Sequence, residues 1–153
     1  RQKLVKATSH YDPAWNPGGG GLVSTVSDYM RFALMLWNGG EYRGTRILQQ
    51  ATVDDMTRLH VPGGVLAAGG PGGAPGIDGI GWGLGMAVVA DAEASIFADR
   101  DGDFWWSGYY GTTFFVSPET GLVGVIMTQN EPGPHSGIND QAYELQGLAF
   151  AGL

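Results

Sequence analysis

An α+β fold, with an antiparallel β-sheet flanked by helices, is predicted by three features of the sequence. The run FWWSGYYGTTFFV, from Phe104 to Val116, alternates with period 2 and is dense in aromatic and β-branched residues. Turn signals bracket it, Asp101-Gly102 before and Pro118-Glu119-Thr120-Gly121 after, and a further β-rich stretch follows from Leu122 to Gln129. Upstream, Thr25 to Gly40 carries helix-start, helix-face and helix-stop signals in register.

Taken in order, residues 1–21 are rich in Pro and Gly and suit a loop that wraps a surface. They include neither an initiator Met nor the apolar core of a signal peptide, so the sequence is expected to start within a longer protein. Residues 25–60 read as helical. Thr25-x-x-Asp28 resembles a capping box with Asp in place of Glu; Tyr29, Phe32, Ala33, Leu36 and Trp37 follow on one side, and Asn38-Gly39-Gly40 stops the helix. A second helix is expected over Ala51 to Leu59, with Val53, Met56 and Leu59 aligned. Residues 61–78 mix glycines with Pro62, Pro71 and Pro75, a composition that buries too little apolar surface to order itself and reads as a mobile loop.

Residues 79–129 read as antiparallel strands. Gly79, Gly81, Gly83 and Gly85 echo a phosphate-binding loop, yet they fall at every second position, opposite Ile80, Trp82, Leu84 and Met86. That period predicts one strand from Gly79 to Val89 with a bald face that another element can approach closely. An acidic connection, Asp91 to Asp103, leads to the aromatic run, expected to be a sheet edge facing a pocket. There Phe104, Trp106 and Gly108 share one face and Trp105, Ser107 and Tyr109 the other. Thr112 to Val116 and Leu122 to Gln129 complete a meander, and residues 137–151 read as a closing helix.

Composition bounds the function. The 153 residues fit one domain, 43% apolar and 15% charged. A net charge of -7, with Lys3 and Lys6 the only lysines, leaves no basic stripe for nucleic acid. No apolar run reaches the roughly 18 residues of a membrane span, so no membrane partner is expected. Absence of cysteine excludes a thiolate nucleophile and a zinc ribbon, and leaves the compartment open. No cofactor is implied.

Serine-nucleophile chemistry needs a base within hydrogen-bond reach, and the local arrangements that supply one, Ser-x-x-Lys and GxSxG, are absent. His10, His60 and His135 sit in or beside expected loops, without an acidic partner at a telling spacing. Asp99, Asp101 and Asp103 alternate like the start of a calcium loop. Phe104 stands where its turn glycine belongs and Tyr110 where its closing glutamate belongs, so no metal is expected and the carboxylates read as solvated in a tight hairpin turn. The aromatic run admits two readings, plain core or the wall of a site.

The order GGGGLVST, SDYMRFALMLWNGGE, GIGWGLGM, FWWSGYYGTTFFVSP and LVGVIMTQ resembles the C-terminal part of class C β-lactamase-like serine hydrolases. That family includes family VIII esterases, penicillin-binding-protein-like hydrolases and D-aminopeptidases. The resemblance implies a β-lactamase/transpeptidase-like fold, incomplete here. Its third active-site motif is Lys-Thr-Gly in the β-lactamases and often Trp-x-Gly or His-x-Gly in the esterase-like members. Trp106-Ser107-Gly108 matches the latter by position, which implies a substrate-binding role for these three residues and an oxyanion-donor role for the backbone N–H of Tyr109. Trp106 in place of lysine removes the cation that would attract a β-lactam carboxylate. The nucleophile motif is absent, and so is Tyr-x-Asn: Asn16, Asn38, Asn130 and Asn139 each lack a tyrosine two residues earlier. The resemblance therefore implies a chain inert alone, whose partner is an N-terminal portion carrying the nucleophile and whose substrate is a small acyl ester or amide. The other reading is a non-catalytic ligand-binding or regulatory module on the same scaffold.

Overall fold

The computed structural model describes residues 22–62, 79–95, 100–108, 110–129, 144–145 and 147–149. The wrapping loop expected over 1–21 and most of the Gly/Pro loop of 61–78 lie outside these. So do the bounds of the closing helix, within which residues 144–145 and 147–149 are helical.

The first helix forms where its signals place it. α1 spans Val26–Trp37, and Thr25, extended, accepts the Asp28 N–H on its hydroxyl at 3.2 Å while donating to the Asp28 carboxylate at 3.0 Å. It ends at Asn38, whose N–H still reaches Leu34 O, and the chain leaves through Gly39 and Gly40, both at positive φ. Ala33, Met35 and Leu36 are buried, whereas Phe32 and Trp37 keep part of their surface in solvent. A two-stranded hairpin follows, β1 (Glu41–Tyr42) and β2 (Thr45–Arg46), then α2 (Gln50–Met56). α2 stops short of the expected Leu59 because the backbone beyond it is taken up elsewhere. The N–H groups of His60 and Val61 both donate to Trp82 O, at 2.7 and 3.0 Å, and Trp82 N–H returns to Val61 O at 2.9 Å.

The main sheet contains β3 (Ile80–Trp82), β4 (Ala87–Val89), β5 (Phe104–Ser107), β6 (Thr113–Ser117) and β7 (Leu122–Ile126), antiparallel throughout and in sequence order. Two expectations need correction. Gly79 to Val89 is a hairpin, not one strand: the chain turns at 83–86, with Gly83 N–H on Met86 O and Gly85 at φ +87°, so Ile80 pairs with Val89. A glycine at every second position serves a turn as readily as a bald strand face. Close approach is nonetheless real at Gly83, where a Cβ would lie 2.1 Å from Met56 O at the end of α2. Secondly, β5 is the middle strand, paired with β4 on one side and β6 on the other, and is an edge only at its far end.

Alternation along the strands builds two cores. Met86, Val88, Phe104, Phe114 and Val116 face α1 and pack on Ala33, Met35, Leu36 and Val53. On the opposite face Ile80, Ala87, Val89, Trp105 and Phe115 form a second cluster, with Ala92 and Leu122 against it. The sheet is thus apolar on both faces.

At the entrance to β5 the acidic connection differs from its expected state. Asp101 Oδ1 accepts the Ala92 N–H at 2.8 Å and Gly102 N–H donates to Val89 O, but the link from β4 to β5 is far longer than a tight hairpin. Asp103 is not solvated: only 2% of its surface is exposed. One carboxylate oxygen accepts the Arg100 N–H at 3.0 Å; the other, like the hydroxyl of buried Ser117, has no well-formed hydrogen bond among the described residues. Burial pushes the Asp103 carboxyl above the ordinary carboxylate value; the Ser117 hydroxyl, the Arg100 N–H and the Arg100 charge oppose the rise, and Glu119 adds to it. A carboxyl whose folded pKa lies above its unfolded one stabilises the fold fully below the unfolded value, and this is lost as pH rises through the folded value. Asp103→Asn is therefore expected to be more stable than the parent at pH 7, with the gain shrinking to nothing below the unfolded value of 3.8. Chemical denaturation of both proteins across that range is the measurement, and a destabilised Asn variant at pH 7 would show that the charge is held favourably.

Candidate active site

Beyond Trp105 the neighbourhood of β5 changes. The ladder with β4 pairs only Phe104 with Val88 and Trp105 with Ala87, while the ladder with β6 continues through Trp106 and Ser107. Trp106 and Ser107 thus stand past the end of β4, where no strand pairs with them on that side among the described residues. Trp106 is 43% exposed, in contrast to Trp105 at 1%. Backbone register sets Trp106 opposite Phe114 on the α1 face, yet its ring lies 4.4 Å from that of Trp82, tilted by 49°. It also lies 6.2 Å from the Trp105 ring, within 21° of parallel. Its indole therefore folds over the open margin of β5, and three tryptophans meet there.

Ser107 pairs with Thr113, whose hydroxyl donates to Trp106 O at 3.1 Å. Gly108 opens a tight turn: its N–H donates to Thr112 O at 2.7 Å, and Gly111 N–H donates back to Gly108 O at 3.0 Å. A Cβ on Gly108 would lie 2.4 Å from Thr112 Oγ1 and 3.8 Å from Thr112 Cβ, so the turn itself already fills part of the space that glycine leaves. Thr128, after β7, ties the turn down through a hydrogen bond to Tyr110 O. Tyr109, whose N–H the family resemblance makes an oxyanion donor, lies outside the described residues.

Of the three histidines, His60 is described. Its Nε2 meets Asp55 O at 2.8 Å and lies 3.5 Å from Asp55 Oδ1, an acidic neighbour that sequence spacing did not suggest. Its backbone role is to pin the segment after α2 onto Trp82. Asp101 and Asp103 do not converge, and among the described residues no group of three acidic or histidine side chains is placed to hold a metal ion. Asp99 is not described. At the other end of β5 a shallow, open depression is lined by Asp91, Ala92, Glu93, Arg100, Asp101 and Glu119.

Trp82, which the geometry sets beside Trp106, is not among the candidate site residues that the sequence suggests. It was assigned to a strand face, and its one distinguishing signal was being an indole flanked by glycines. Contact with Trp106 depends on the turn at 83–86, which folds β3 back onto β4.

Comparison with known proteins agrees with this architecture. Residues 1–149 match the Beta-lactamase family. Protein Rv1367c of Mycobacterium tuberculosis is 34% identical over 128 residues, which cover 78% of this chain and 30% of that protein. Among solved structures, EstCE1, a hydrolase with promiscuous acyltransferase activity, superposes with a TM-score of 0.57 at 28% identity, over 77% of this chain and 29% of its own. Unliganded simvastatin synthase LovD from Aspergillus terreus shares the fold with a TM-score of 0.58 at 21% identity, over 81% of this chain and 33% of its own. The chain spans roughly a third of the length of each of these proteins. With the strand order, the central aromatic strand and the family match in agreement, the chain belongs to the β-lactamase family and carries part of a β-lactamase-like serine hydrolase fold.

Proposed function

We propose that this chain is the C-terminal portion of a serine hydrolase that cleaves small esters or amides through an acyl-enzyme, with Trp106-Ser107-Gly108 forming one wall of the acyl site. The carrying observation is that this tripeptide continues the central strand past the end of β4, next to a tight turn that keeps the backbone close. In acyl transfer the nucleophile adds to the carbonyl, negative charge develops on the carbonyl oxygen, and the alcohol or amine leaves with a proton before water releases the acid. A strand end that runs on past β4 while still held by β6 suits the oxyanion step, because the backbone that follows it can aim an N–H at the developing charge; Tyr109 N–H is the donor assigned by this reading. Trp106, where β-lactamases carry a lysine, favours uncharged esters over carboxylate-bearing β-lactams. The likeness to EstCE1 supports the esterase-like side of the family.

The nucleophile and the tyrosine base come from an N-terminal portion, since neither Ser-x-x-Lys nor Tyr-x-Asn occurs here. This chain alone is therefore expected to leave short p-nitrophenyl esters intact and to form no adduct with a serine-directed phosphonate. Intact mass spectrometry decides: a stoichiometric adduct on the isolated chain would sink the proposal. Supplied with the nucleophile-bearing portion, it is expected to hydrolyse esters more readily than cephalosporins, and the reverse preference would remove Trp106 as the determinant. A non-catalytic ligand-binding module is the second reading, favoured by the exposed indole of Trp106.

A further inference from the structure

We infer that Trp82 and Trp106 together form an aromatic platform that selects substrates carrying a flat aromatic ring, Trp82 being the specificity-determining partner; this rests on the acyl-site reading of the strand end. The two rings sit 4.4 Å apart at 49°, a tilted wedge and not a closed sandwich. Trp105, near-parallel on Trp106, fixes that indole on another side, yet 43% of Trp106 stays exposed. A large apolar ring held in place by two neighbours and left open on the rest is pre-organised to stack a third ring without losing side-chain freedom on binding. Trp82 is as firmly placed, its backbone paired with Ala87 in β4 and bridged to Val61 on the other side. Because Trp106 directly precedes Ser107-Gly108, a ring stacked on the wedge would hold its ester carbonyl beside the proposed acyl site. Among the described residues no Lys or Arg stacks on either indole, and the 43% of Trp106 that the two neighbouring tryptophans leave exposed is the surface open to a ligand.

Binding of 2-acetonaphthone, an unreactive ketone with the shape of an aryl ester, is to be compared with that of 2-octanone by calorimetry on this chain. The aromatic ketone is expected to bind about two- to tenfold more tightly, as one added aromatic stacking contact implies. Trp82→Leu should abolish this preference and Trp82→Phe should keep most of it, with circular dichroism confirming the fold; if the leucine variant does not fold, the phenylalanine variant is compared with Trp106→Leu instead. A preference unchanged in folded Trp82→Leu, no binding of 2-acetonaphthone to the parent, or tighter binding of tetramethylammonium than of the ketone would each overturn the platform, the last in favour of a cation site. Binding is read without turnover, so the two proposals fail separately. Aromatic binding with no hydrolysis after the nucleophile-bearing portion is supplied refutes acyl transfer alone, and hydrolysis without aromatic preference refutes the platform alone.

Discussion

Replacing Gly108 by valine is expected to lower turnover of the assembled enzyme by about 100- to 1000-fold, the usual loss when one oxyanion donor is displaced. Two physical causes would give such a loss, and the turn geometry separates them. A side chain at position 108 first meets the Thr112 hydroxyl, 2.4 Å from the new Cβ, while Thr112 Cβ is at an ordinary contact distance of 3.8 Å. Removing that hydroxyl with Thr112→Ala therefore makes room for a Cβ on the side of the turn. If Gly108→Ala combined with Thr112→Ala recovers stability but not turnover, the glycine is there to clear the acyl group. Should turnover return with stability, its role is confined to the turn and the strand end is not part of the site. Turnover number and melting temperature for the single and double variants decide between these, and unchanged turnover in a folded Gly108→Val enzyme would remove the strand from the active site altogether.

The largest effect on stability is expected three residues earlier, at Trp105. Trp105→Ala should cost about 3–5 kcal/mol, as large-to-small replacements of buried aromatics do. Trp105 is 1% exposed at the centre of the cluster formed with Ile80, Ala87, Val89 and Phe115, so truncation opens a cavity bounded by four other core residues. Against a typical total of about 5–15 kcal/mol, that is roughly a fifth or more of the stability of a domain. Trp106→Ala, next door in sequence, should change stability far less, because its ring is already 43% in solvent. Urea denaturation of the two variants is the test; equal losses would mean that the exposed indole is as structural as the buried one.

These neighbouring tryptophans mark where sequence reading succeeds and where it stops. Period-2 alternation correctly put Phe104 and Trp105 on opposite faces, and the turn at Pro118 to Gly121 correctly joined two strands of a meander. The capping residues Thr25 and Asp28 fixed the start of α1, since a helix terminus is decided by its own few residues. Features set by distant partners were not legible. α2 ends early because Val61 pairs with Trp82, and Asp103 is buried at the entrance to β5, near Ser117 of β6. Nor does alternation foresee that the Trp106 indole leaves its own face, since that depends on how far β4 extends beside β5. Within the proposed site, the Trp-Ser-Gly strand is assigned by resemblance and Trp82 by geometry alone.

The order of strands in the sheet also bears on how the chain folds. Every ladder joins strands that are neighbours in sequence, so the meander can assemble hairpin by hairpin with little chain entropy lost at each step. The packing of α1 breaks this locality: near the start of the described chain, it docks on β6 and β7 at the far end of the sheet, and Trp37 lies against Gly121 in the turn between them. Its closure spans the whole meander. Because the cost of a loop grows only with the logarithm of its length, about 0.6 kcal/mol for each doubling, a long connection between α2 and β3 weighs little on final stability. It weighs instead on timing. The sheet is built from pairings local in sequence, whereas the docking of α1 on β6 and β7 requires the whole intervening span to close.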